Sequence, residues 1–233
     1  MRGLWIVVGA VALVSTSSWA DFQFYHQRYG LSDVYAKLVD NRGNGFEDLY
    51  GVRNFREVLK GVLYRGGANN VYHRDPKYKR ANINPLPLDG LTNLCEEGFQ
   101  HVVYLYAENY DQSPHQVTCS SLRGPQTMPY SQLGSYAETR EILEVVFKSI
   151  QDSSLGPVYL HCWNGWHASG YISAISLRQF CGWSGDQAVE YWSRNTDNHD
   201  GSAYNALKRR IREFARIPAL IPAPDMAAQI CPN

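Results

Sequence analysis

Pro157-Val158-Tyr159-Leu160-His161-Cys162-Trp163-Asn164-Gly165-Trp166-His167-Ala168-Ser169-Gly170 is the stretch whose reading decides the fold. The apolar run after Pro157 predicts a short buried strand that ends at a cysteine. A loop with one central glycine follows, then a helix to about Cys181, with Gly182 as its stop. A helix start offers unpaired backbone N–H groups and a partial positive charge. Loop amides turned inward make an anion cradle. A cysteine at the mouth of such a cradle has its thiolate stabilised and is nucleophilic near neutral pH. Ser169 is placed to donate a hydrogen bond to that sulfur. The constellation suits attack by Cys162 on a tetrahedral phosphate whose oxygens sit among residues 163–169. The competing reading makes Cys162 a small buried hydrophobe, as free cysteines often are. His161, Gly165, Ser169 and Gly170 around it weigh against that.

Working outward, Gly61-Val62-Leu63-Tyr64-Arg65-Gly66 reads as a strand ending in a glycine turn. Leu88, Leu91, Leu94 and Cys95 recur at helical spacing up to Gly98, and Phe99 to Tyr106 reads as a second buried strand. Ser135 and Glu138 have the spacing of a capping box, ahead of a helix faced by Leu143, Val146, Phe147 and Ile150. Ser184 and Gln187 cap another helix, and Tyr204, Leu207, Ile211 and Phe214 mark a last one. Strands alternating with helices give an α/β class. A helix in the crossover from Phe99 to Leu160 predicts that those two strands are parallel neighbours. Residues 21–60 read as an irregular segment with a loop at Gly43-Asn44-Gly45, residues 61–217 as the domain, and residues 218–233, with Pro218, Pro222 and Pro224, as an extended tail. The polar stretch 69–85, with His73, Arg74, Lys77, Lys79 and Arg80, is either a solvated loop or a basic lid over an anionic site.

The first twenty residues read as a secretory signal peptide: Arg2, an apolar run from Leu4 to Val14, and small residues in Ser18-Trp19-Ala20 before Asp21. That run is shorter than the ~20 residues a spanning helix needs, so no membrane insertion of the mature chain is expected. Secretion or a periplasmic location follows as an expectation. With 22 basic and 22 acidic side chains there is no support for a nucleic-acid partner. Five cysteines, Cys95, Cys119, Cys162, Cys181 and Cys231, leave at least one unpaired in an oxidising compartment. The site argument makes Cys162 the working thiol. The pairing of the other four is open. No cofactor is expected. A metal site from His161, Cys162, His167, His199 and Asp200 has no known zinc spacing, and a strand places His161 on the opposite face from Cys162.

The segment 161–170 resembles the signature loop of cysteine-dependent phosphatases, His-Cys-x-x-Gly-x-x-Arg-Ser/Thr-Gly, with His161, Cys162, Gly165, Ser169 and Gly170 in place. Gly61 to Ala68 is similar to the opening strand motif of bacterial dual-specificity-like phosphatases, and the likeness covers about residues 55–215. The resemblance implies a three-layer fold, a twisted and mainly parallel sheet between helices. It also implies phosphomonoester hydrolysis with Cys162 as nucleophile, loop residues Trp163, Asn164, Gly165, Trp166, His167, Ala168 and Ser169 around the anion, and a phosphorylated or other anionic ligand. Two departures stand against efficient catalysis. The family's arginine falls at Ala168, and a transition-state arginine in phosphoryl transfer is worth about 10³–10⁵ in rate. The window 126–133, where the family's general-acid aspartate belongs, holds no Asp or Glu, and Asp111 lies in another loop. A protonated His167 is the expected substitute. Trp163 and Trp166 are either packing residues or a flat apolar wall for a ligand. The alternative to an enzyme is a pseudophosphatase that binds a phosphorylated ligand or a protein partner without turnover.

Overall fold

Apolar side chains sort onto two faces of one sheet in the computed structural model, which describes residues 17–78 and 85–232. The elements are α1 (Ser17–Tyr29), β1 (Val52–Leu59), β2 (Leu63–Ala68), α2 (Leu88–Glu96), β3 (His101–Tyr104), β4 (Gln116–Ser121), β5 (Gly124–Gln132), α3 (Thr139–Gln151), β6 (Val158–Cys162), α4 (Ala168–Cys181), α5 (Gly185–Arg194), α6 (Asn205–Glu213) and α7 (Pro224–Ile230). The strand order is β1-β2-β6-β3-β5-β4. The inner pairs are parallel, and the two outermost pairs, β1 with β2 and β4 with β5, are antiparallel. Leu63, Val103 and Leu160 face a core built with α3, α4, α5 and α6, while Tyr64, Val102 and Tyr159 face α2 and the tyrosines of α1. The fold is therefore α/β in three layers, and β3 and β6 are the parallel neighbours that the crossover predicts. No helix of the described residues is long and apolar enough to cross a membrane.

Several local expectations are corrected. Residues 21–60 are not irregular throughout: they carry most of α1 and the whole of β1. All eight residues of β1 are buried, although Arg53, Asn54, Arg56 and Glu57 are polar. Asn54 takes a left-handed φ of 52°, and the register shifts between Arg53 and Arg56, so the strand lacks the period of two that would announce it. Glu57 is tolerated inside because its carboxylate accepts from the Gly61 N–H (2.9 Å) and the Tyr64 hydroxyl (2.8 Å). The capping box at Ser135 does not form. Glu138 instead turns back to accept from the Gly134 N–H at 2.6 Å. The box at Ser184 and Gln187 does form, at 3.2 and 2.9 Å. Residues 1–16, most of the stretch read as a signal peptide, and the basic pair Lys79 and Arg80 lie outside the described residues.

The tail is not simply extended either, and α6 is not the last helix. Pro224 lies in the first turn of α7, where a missing N–H costs nothing. Cys231 is joined to Cys181 at the end of α4, and the Ile230 carbonyl accepts from the Lys60 N–H at 2.7 Å. A second disulfide joins Cys95 to Cys119. Loop-closure entropy gives the Cys181–Cys231 bridge, across a separation of 50 residues, about 4 kcal/mol. Cys231→Ser is expected to lower the unfolding free energy by about 2–4 kcal/mol, read from the urea midpoint. An unchanged midpoint would mean that the tail adds nothing to the domain.

Candidate active site

Alternation along β6 puts Cys162 on the α4 face and His161 on the other. His161 is fully buried, stacked on Tyr104 at 4.9 Å and bonded through Nε2 to the Tyr130 hydroxyl at 2.9 Å. It shapes the floor of the site and does not touch a ligand from there. Cys162 is the free cysteine among the five. It is only 2% exposed, so the expectation of a thiol open at the mouth is corrected: the sulfur lies inside, between β6 and α4. Its Sγ is 3.4 Å from the Ser169 Oγ, as expected, and that hydroxyl also lies 3.2 Å from the Gly66 carbonyl. With one hydrogen, Ser169 serves one acceptor at a time. A thiol leaves it on Gly66, and a thiolate can draw it to sulfur.

The loop between Cys162 and α4 has its carbonyls held outward, one after another. The Trp163 carbonyl accepts from the Ala68 N–H (3.0 Å) and the Asn164 carbonyl from Asn54 Nδ2 (2.7 Å). The Gly165 and Trp166 carbonyls both accept from Arg65 Nη2, the latter at 3.2 Å. The His167 carbonyl accepts from the Tyr171 N–H (2.8 Å) and from Trp192 Nε1 (3.2 Å). With the carbonyls anchored, the amides are left over. Among the described residues, the backbone N–H groups of Gly165, Trp166, His167, Ala168, Ser169 and Gly170 donate to no protein acceptor. Six consecutive free amides at a helix start are the arrangement that can take up an anion.

Two glycine contacts allow this. Gly165 has a left-handed φ of 77°, and a Cβ there would stand 2.6 Å from the Gly66 carbonyl carbon. A Cβ on Gly67 would stand 2.5 Å from the Trp163 oxygen. The loop therefore rests directly on the backbone of β2. Arg65, 0% exposed, reaches from β2 under the loop and is also 3.4 Å from the Tyr191 hydroxyl.

The remaining expected residues are placed less favourably. Ala168 is fully buried at the first position of α4, so its side chain presents nothing to an anion and only its N–H does. The surroundings of His167 disfavour a protonated ring. Burial holds its pKa below the ordinary histidine value, with His199 and Arg65 nearby adding to the effect against the bond to the His199 carbonyl. Its Nε2 donates to that carbonyl at 2.7 Å, and Nδ1 lies 3.3 Å from the Tyr204 hydroxyl on which the ring stacks. Both nitrogens of a neutral ring are thereby used. Trp163 stacks on Tyr106 at 4.5 Å and donates to the Tyr104 hydroxyl at 3.2 Å. Trp166 stacks on His199 at 3.9 Å and donates to Asp197 at 3.1 Å. These contacts make both tryptophans wall and packing residues. Asp111 is exposed in the turn Tyr110–Gln112. In the stretch 69–85, Arg74 pairs with Glu47, Lys77 with Asp75 and His73 with Asp89, so these side chains are already occupied. No group of three or more His, Cys, Asp or Glu among the described residues could hold a metal ion.

Two side chains that hold the loop were not read from the sequence as site residues, Asn54 and Arg65, and the buried Arg53 and Arg56 lie beside Asn54 on β1. Arg65 lay in the Leu-Tyr-Arg motif, which was the available signal. Arg53, Asn54 and Arg56 lie in the strand hidden by its bulge.

No family model matches the sequence, and no curated protein matches it. Among solved structures, the chain is similar to the core catalytic domain of the PP-IP phosphatase SIW14 from S. cerevisiae, in complex with citrate, at 15% identity and a TM-score of 0.45, covering 70% of this chain and 86% of that one. It is similar to TpbA of P. aeruginosa at 17% identity and a TM-score of 0.40, covering 72% and 88%. It is also similar to PTPMT1 at 15% identity and a TM-score of 0.38, covering 67% and 95%.

Proposed function

We propose that the loop 162–170 seats the phosphate of a phosphomonoester and that Cys162 attacks it. The six free amides from Gly165 to Gly170 carry this reading. The Cys162 thiolate forms a bond to phosphorus as the bond from phosphorus to the ester oxygen breaks. The departing oxygen takes its proton from water, since among the described residues no carboxylate bonds to Cys162, Ser169 or the loop amides. Water then cleaves the phosphocysteine, and Ser169 donates to the leaving thiolate. Poor leaving groups suffer most from the missing acid, so aryl phosphates are the expected better substrates. Turnover is slow because Ala168 brings no charge to the transition state.

A second reading, binding of a phosphorylated ligand without turnover, is favoured by one observation: the loop keeps its amides while lacking both the charge at Ala168 and an acid. Leader-like residues 1–20 and two disulfides support export to a periplasm or beyond the cell.

Incubation with a generic aryl phosphate followed by rapid quench and intact-mass analysis is the test. One added phosphoryl group is expected on the wild type and none on Cys162→Ser. Phosphate release that persists in Cys162→Ser would overturn Cys162 as nucleophile. Tungstate binding without any adduct would select the binding reading.

A further inference from the structure

Three arginines are buried on β1 and β2, and their partners differ. Arg65 holds loop carbonyls. Arg56 donates to the Asn54 carbonyl at 3.2 Å and lies 3.6 Å from Asp197. Arg53 is 3% exposed and, among the described residues, makes neither an ion pair nor a hydrogen bond. Its Nε is enclosed without a partner. The ring of Tyr72, 45% exposed, stands 5.8 Å from its guanidinium carbon. Taking a cation out of water without an anion is costly, which is why buried charges are paired. The local carboxylate, Asp197, is already taken by Lys37 at 2.7 Å, by Trp166 and by Arg56.

The place of Arg53 relates it to the anion loop. It lies opposite Gly67 on β2, which lies opposite Cys162 on β6, so the three share one row across the sheet. The residue between them has no side chain, and the backbone of Trp163 to Gly165 rests on it. Burial pushes the Arg53 pKa down, while the neighbouring Tyr72, Cys162, Tyr159 and Asp197 oppose this.

We infer that Arg53 supplies, from the sheet edge, the guanidinium that position 168 lacks, and that it binds an oxygen of the oxyanion seated on the amides of residues 165–170. This rests on the loop reading given above. The ligand class is a tetrahedral oxyanion carrying two negative charges, a phosphomonoester dianion or a mimic of it. A planar guanidinium fits two of its oxygens.

Titration calorimetry of the full chain with sodium tungstate tests the assignment on the wild type, Arg53→Met and Arg53→Lys. Arg53→Met is expected to bind about 10- to 100-fold more weakly, the worth of one charged hydrogen bond. Arg53→Lys should fall between, since it keeps the charge and loses the fork. The melting temperature of ligand-free Arg53→Met is expected to stay or rise, because an uncompensated buried cation has gone. A structural arginine would instead lower it. Should Arg53→Met fail to fold, that outcome itself makes Arg53 structural and overturns the inference. Tungstate binding by Arg53→Met equal to that of the wild type overturns it too, and leaves the loop reading intact if the wild type still forms phosphocysteine. A wild type that neither binds tungstate nor forms phosphocysteine overturns both.

Discussion

Arg65→Met is expected to lower stability by about 3–5 kcal/mol and to abolish oxyanion binding in the protein that remains folded. Arg65 is fully buried, and one nitrogen of its guanidinium holds the carbonyls of both Gly165 and Trp166. Methionine fills similar space but accepts no such duty, so two enclosed carbonyls lose their donor. A hydrogen bond from a charged group is worth about 1.5–3 kcal/mol. For a chain of this length the loss corresponds to a fall of roughly 10 °C in the thermal midpoint. The functional half of the expectation is the sharper one. Of the carbonyls that are held while the amides of 165–170 stay unpaired, those of Gly165 and Trp166 depend on Arg65 of β2. Arg65→Lys should recover part of the stability and little of the binding, since the shorter lysine side chain does not bring its ammonium to the place where Nη2 meets both carbonyls. Thermal melts and tungstate titrations of the three proteins decide it. A methionine variant that melts within about 1 kcal/mol of wild type would show that the loop stands without the guanidinium.

The second large effect is loss of stability in mild acid. Burial pushes His161 down to about 3, against a small opposing effect of the bond to the Cys162 carbonyl. Burial, helped by Lys148, pushes His101 down to about 4. His161 is satisfied as a neutral ring: Nδ1 donates to the Cys162 carbonyl at 3.3 Å, and Nε2 accepts from Tyr130, whose oxygen accepts from the Leu86 N–H at 3.2 Å. Both folded values lie below the unfolded value near 6.5. Between pH 6.5 and 4 the unfolded chain therefore takes up two protons that the native chain refuses. Stability is fully present above pH 6.5 and falls as pH falls, by about 1.4 kcal/mol per pH unit for each histidine. Between pH 6 and 4.5 the two together are expected to cost about 4 kcal/mol. Urea unfolding at half-unit steps of pH measures it, and His101→Gln should halve the slope. A flat stability between pH 6.5 and 4.5 would mean that these rings are hydrated and titrate normally.

The site's skeleton was legible because its signals are local. A strand, a cysteine, a glycine and a helix start occupy one stretch of ten residues, and Gly182, Gly98 and the Ser184 box carry their own conformational signatures. What escaped reading depends on partners far away in sequence. The bulge at Asn54 destroys the alternation of β1, so Arg53, Asn54 and Arg56 look like loop residues until β2 is laid beside them. Asn54 Nδ2 and the Asn164 carbonyl are separated by 110 residues. His167 illustrates the opposite error. Its type and place in the loop suggested a cation, yet burial among rings from distant positions, Tyr204 and Trp192, lowers its pKa. Ser135 and Glu138 had the right spacing for a cap, but Glu138 found Gly134 first. The tail's prolines forbade helix only where they stand, and Pro224 stands where a helix can begin.

The pairing of the cysteines limits what oxidation can do to this molecule. Cys95, Cys119, Cys181 and Cys231 are all committed to bridges, so Cys162 has no companion thiol with which to condense. Many enzymes with a reactive sulfur keep a resolving cysteine beside it, which converts a sulfenic acid into a reversible disulfide before further oxygen is added. Here the disulfide route is closed from within, and a disulfide can form only with a small thiol arriving from solvent. With only 2% of Cys162 exposed, the same wall that slows the oxidant also slows the rescuer. The protection of this sulfur is therefore kinetic, set by the packing of β6 and α4 around it, and it lasts only as long as that packing does.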